Sequence, residues 1–198
     1  MRRGNIRIIG RLVVCLAVML MVSGCSSGDG ESEQVKPAVK KVQKKKKGMT
    51  AAAYNDWLVN QIDAVAECSA KLNRALQKKD HTLVREALEN YKEQITQSAD
   101  NVAQMEGFRG EEEFRNASLD YLEFHENLAN NEFDRLITML IQELDGTYEM
   151  DDDEWAEWEA DMKALEEKEN EQDDKLNEVQ QAFAKKHNLL LIRQSRRF

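Results

Sequence analysis

The stretch "YNDWLVNQIDAVAECSAKLNRAL", residues 54–76, decides the fold. Tyr54, Leu58, Ile62, Val65, Leu72 and Leu76 recur at steps of three and four, and Ser69 takes the one polar place in the series. A strand would need apolar residues at every second position; steps of three and four put them on one face of a helix. Thr50 stands just before this run, where a hydroxyl can accept from the first free backbone amides, so it is the expected N-cap.

The same spacing continues outward. After Asp80, the residues Val84, Leu88, Tyr91, Ile95, Ser98, Val102 and Met105 predict a second helix, with Gly107 as its terminator. A third starts near Glu111 and runs through Phe114, Ala117, Tyr121, Phe124 and Leu128. Asn130-Asn131 interrupts it, and Phe133, Leu136, Ile137, Leu140 and Leu144 resume the stripe as far as Gly146. A fourth follows Asp151 to Asp153, whose charges suit a helix N-terminus. It shows Trp155, Trp158, Met162 and Leu165, then Leu176, Val179 and Phe183, and closes at Lys185, Lys186, His187 and Asn188.

One proline and nine glycines in 198 residues leave little to break helices. Four amphipathic helices on short links bury their stripes together only by lying antiparallel. The expected fold is therefore an all-α, up-down-up-down four-helix bundle over residues 49–192, with the tightest link at Lys79-Asp80. Residues 193–198 form a basic tail.

Chemistry is sparse. A ferritin-like metal centre needs Glu-x-x-His on two helices, and covalent haem needs Cys-x-x-Cys-His; neither spacing occurs. "EMDDDEWAEWEADMK", residues 149–163, lacks the order of acids around a glycine that a calcium loop requires. No Gly-x-Ser-x-Gly, phosphate loop or dinucleotide fingerprint is present. A protein that is not an enzyme and holds no cofactor or metal is the expectation.

One place in the bundle stays open to two readings. Heptad continuation puts Glu169 and Gln172 where core residues belong, and Cys68, Ser69 and His125 fall at mid-length on other helices. These residues could form a buried polar layer lining a small-ligand or metal pocket. Alternatively, "EEKENEQDDK", residues 166–175, is polar on every side and leaves the middle of the fourth helix solvated. The second reading is the simpler one.

The N-terminal region has a different composition. Arg2, Arg3, Arg7 and Arg11 precede an apolar run, Leu12 to Val22, which is short for a membrane span of ~20 residues. It ends on Val22-Ser23-Gly24-Cys25. This resembles the lipobox of bacterial lipoproteins: aliphatic, small, small, cysteine. The resemblance implies a signal peptide (1–24) removed after Gly24, a diacylglyceryl group on the Cys25 thiol and an acylated amine. A plain transmembrane anchor is the competing reading. Ser26, in place of Asp, implies the outer membrane over the inner one and leaves open which face is occupied. The "AYNDWLV" opening, residues 53–59, is similar to that of small helical-bundle envelope lipoproteins of unknown function, from which no functional residue carries over.

Residues 25–48 read as a flexible tether with a reach of roughly 25–30 Å. Formal charges come to about +4 for residues 26–48 and about −17 for residues 49–198, out of −9 overall. Lys36, Lys40, Lys41, Lys44, Lys45, Lys46 and Lys47 can touch anionic lipid at about 1 kcal/mol each, or serve as a solvated spacer. So acidic a domain excludes nucleic acid as a partner. With Cys15 discarded and Cys25 lipidated, Cys68 is left without a disulfide partner. Cys25→Ser is expected to abolish metabolic lipid labelling and leave an unprocessed or released chain; normal labelling of this variant would refute the anchor.

Overall fold

The computed structural model describes residues 48–191. The expected signal peptide, its lipobox, the expected tether with its lysines (apart from Gly48), Ile192 and the basic tail lie outside the described residues. The described chain is an all-α bundle of four rods, one of them bent. They comprise α1 (Ala51–Lys78), α2 (His81–Ala103), α3 (Glu113–Asn130), α4 (Glu132–Asp145) and α5 (Asp152–Lys186). Successive rods pack antiparallel: α1 most extensively on α2, α2 on α3, and α3 on α5.

The helix ends follow the capping chemistry read from the sequence. Thr50 Oγ1 accepts from the Ala53 amide at 3.1 Å. Asp80 accepts from Thr82 and Leu83. Asp151 and Glu154 form a reciprocal capping box at the start of α5. Each such cap is worth about 1 kcal/mol. Lys79 takes the left-handed conformation between α1 and α2, and Gly146 takes it after α4.

The Asn130-Asn131 interruption is a true break. The peptide at Asn131 leaves helical geometry with φ −119 and ψ −92, and its side-chain amide donates to the Asn127 carbonyl at 2.8 Å. A short polar side chain bonded to the preceding turn competes with the helix ladder, so the third rod is two helices, α3 and α4.

The expectation at Gly107 needs adjustment. Helix α2 ends at Ala103, and Gly107 lies in the loop beyond it. A Cβ there would stand 2.5 Å from the Glu111 carbonyl oxygen. Glycine is needed for close backbone approach, which lets Phe108 turn back into the core against Tyr54 and Phe183.

The apolar stripes of α1, α2 and α4 are buried at the positions their spacing indicates, except Met105, which lies past the end of α2, and Leu144, both half-buried. On α3 the buried face is rotated toward Ser118, Leu122 and His125, and Ala117 and Phe124 are only half-buried. Helix α5 is held at both ends. Trp158 Nε1 donates to the Leu136 carbonyl at 2.9 Å near its start, and Gln180 Nε2 donates to Asn55 Oδ1 at 3.0 Å near its finish. The second contact also places the start of α1 beside the end of α5. The chain therefore enters and leaves the bundle at one end. Leu72 is 0% exposed. Leu72→Ala should cost ~2–5 kcal/mol through lost burial and a residual cavity, read as a lower denaturation midpoint; an unchanged midpoint would mean that the face is misassigned.

Candidate functional site

The middle of α5 is amphipathic despite its composition. Glu166, Glu169, Gln172 and Asp173 are half-buried, whereas Glu167, Lys168, Asn170 and Glu171 face solvent. Steps of three and four put the first set on the bundle side. The solvated middle, the simpler sequence reading, is therefore not what the structure has: the Glu169 side chain retains only 14% exposure.

Opposite it stands His125 from α3, whose side chain is 1% exposed. Its Nδ1 lies 3.9 Å from Glu169 Oε1 and 3.5 Å from the hydroxyl of Tyr91 on α2. On the same α3 face, the Tyr121 ring packs 4.4 Å from the His125 ring, centroid to centroid, and its hydroxyl donates to Asp173 at 2.9 Å. Two tyrosines and a histidine from α2 and α3 thus meet two acids from α5 across the centre of the bundle.

Of the residues the sequence singled out, His125 and Glu169 come together. Gln172 lies half-buried on the same side of α5. Cys68 is a half-buried free thiol, raised in pKa by burial and close enough to influence Tyr91. Ser69 is fully buried, and its hydroxyl finds no hydrogen-bond partner among the described residues. Tyr91, Tyr121 and Asp173 were not singled out. Both tyrosines occupy regular stripe positions and read as core; the available signal was tyrosine, rather than phenylalanine, at the level of the polar block of α5.

Burial sets the charge states. It drives His125 down to about 3. Glu169 rises to about 8, first through burial and then through the negative neighbours Asp173 and Glu166. The separation of 3.9 Å would suit an ion pair, but desolvation dominates both groups, so at neutral pH this is a neutral acid beside a neutral imidazole. Tyr91 and Tyr121 are likewise pushed well above the ordinary phenol range by burial and by acidic neighbours, and stay protonated. The Tyr91 hydroxyl and His125 Nδ1 face each other over a long contact whose direction depends on the imidazole tautomer. His125 Nε2 is buried with no hydrogen-bond partner among the described residues. Such an orphan is costly.

This arrangement can hold protons and leaves one buried ring nitrogen to meet a small polar group. Among the described residues, no three His, Cys, Asp or Glu side chains converge to hold a metal ion. No protein-family model, curated protein or solved structure matches the chain.

Linkage gives a test. Folded His125 takes its proton near 3 and the unfolded side chain near 6.5, so this group adds stability as pH rises through that window. Folded Glu169 keeps its proton to about 8, whereas the unfolded group loses it near 4.5, so this group removes stability as pH rises from about 4.5 to about 8. The two effects oppose one another between about 4.5 and 6.5, and above that Glu169 acts alone. Glu169→Gln should therefore abolish part of the fall in denaturation midpoint between pH 6.5 and 8; a variant that tracks the wild type across this window would rule out the buried neutral carboxyl.

Proposed function

We propose that this chain is a lipid-anchored envelope protein, held through Cys25 and the lysine-rich segment 25–48. Its up-down-up-down bundle binds another macromolecule or acts as a spacer, without catalysing a reaction. The observation that carries this reading is the placement of Gly48 and Leu191 at the same end of the bundle, fixed by the contact between Asn55 and Gln180. A tether arriving at Gly48 would present the opposite end outward. Among the described residues, no helix is long and apolar enough to cross a membrane, so an attachment to lipid would rest on the N-terminal segment. Repulsion between the acidic domain and anionic lipid would keep the bundle off a surface that the lysines can touch.

One observation favours a second reading, a small-ligand carrier. His125 Nε2 is a buried polar atom without a partner among the described residues, in a layer that contains two acids and two phenols. Native mass spectrometry of the purified full chain separates the two readings: a bound small molecule that is lost in His125→Phe would favour the carrier.

For the leading reading, cross-linking in intact cells should give a discrete higher-mass adduct of the full chain. That adduct should disappear when Cys25→Ser releases the protein from the membrane. An adduct pattern indifferent to this substitution would argue against a role that depends on anchoring.

A further inference from the structure

The end of the bundle remote from Gly48 and Leu191 is made of the α1–α2 link and the α4–α5 corner. Asp145, at the close of α4, accepts from Thr147 and lies within electrostatic reach of His81 and Arg85, so the first turn of α2 lies near the last turn of α4. Charge across this end is sorted rather than interspersed. On the hairpin side Lys71, Arg74, Lys78, Lys79 and Arg85 are exposed, against Asp80, which caps α2, and Glu86. On the corner side Glu149, Asp152, Asp153, Glu157 and Glu159 are exposed. No lysine or arginine occurs between Arg135 and Lys163.

Apolar surface is present as well. Leu83 at 37% and Tyr148 at 39% are two of the large apolar side chains left exposed, one in the first turn of α2 and the other in the corner. A surface whose halves differ in sign is complementary to a copy of itself rotated by half a turn, because each half then faces its opposite. A basic partner of another kind would use only the corner and leave the hairpin lysines unmatched.

We propose that this end is an isologous docking surface for a second copy of the chain, with the basic hairpin of each protomer against the acidic corner of the other and Leu83 and Tyr148 between them. Gly48 and Leu191 lie at the far end, so the contact is compatible with the anchoring proposed above but does not require it.

Charge reversal tests the arrangement without touching a cap. The variant carries Arg74→Glu, Lys78→Glu and Arg85→Glu, which turns the hairpin residues named above from five basic and two acidic to two basic and five acidic. Sedimentation velocity is run on the full chain in excess non-ionic detergent, with circular dichroism to show that the variant keeps its helices. The wild type should self-associate at low salt, and about 0.5 M salt should weaken this at least roughly tenfold, as exposed charge pairs are screened. The variant should be monomeric, since its two halves now share a sign. A monomeric wild type, or a variant that associates as the wild type does, would overturn the proposal.

Discussion

Helix α5 has to cross a bundle whose other rods turn mostly apolar faces inward, yet its own central turns contain almost no apolar residue. The rest of the architecture accommodates this constraint. Two apolar patches, Trp155 to Leu165 and Leu176 to Phe183, fix the helix at its ends. Between them the chain cannot leave the bundle without breaking the helix, so Glu169 and Asp173 are drawn inward. Their burial is tolerated because α2 and α3 present Tyr91, Tyr121 and His125 at the same level, and because Glu169 gives up its charge.

This also explains which parts of the molecule were legible in the sequence. Caps and stripes depend on neighbours within a few residues, so Thr50, Asp80, Gly146 and Asp151 could be read directly, as could the buried faces of α1, α2 and α4. The burial of Glu169 depends on what stands across the bundle, and local composition pointed the other way. The rotation of α3 toward Ser118, Leu122 and His125 is likewise a tertiary effect: the break at Asn131 frees α3 from the phase of α4. Gly107 was recognisable as punctuation, but its reason, the Glu111 carbonyl at 2.5 Å from a hypothetical Cβ, belongs to a loop folded back on itself.

Polar contacts between rods divide into two kinds. Arg135 with Asp161, at 2.5 Å, joins α4 to α5 at the surface, where ion pairs contribute little to stability. Gln180 with Asn55 and Trp158 with the Leu136 carbonyl are shielded from water. They fix the register of α5 against α1 and α4, and with it the level at which the acids meet His125. Tyr54, pushed up to about 12 by burial, and Trp155 have polar atoms without hydrogen-bond partners among the described residues, near the two ends of the same helix. Unsatisfied groups therefore occur along the whole length of α5, and the central layer is not an isolated flaw in an otherwise dry core.

The placement of the tryptophans has an optical consequence. Trp155 and Trp158 are buried with ring centroids 5.8 Å apart at an interplanar angle of 72°, at the end of the bundle away from Gly48. Trp57 is half-buried in the second turn of α1, at the opposite end. Intrinsic emission from the folded chain is weighted toward the α4–α5 corner, whereas far-ultraviolet ellipticity averages over all the helices. If the two ends of the bundle loosen at different points in a titration, the two signals will part company, and the direction of the difference will say which end gave way first.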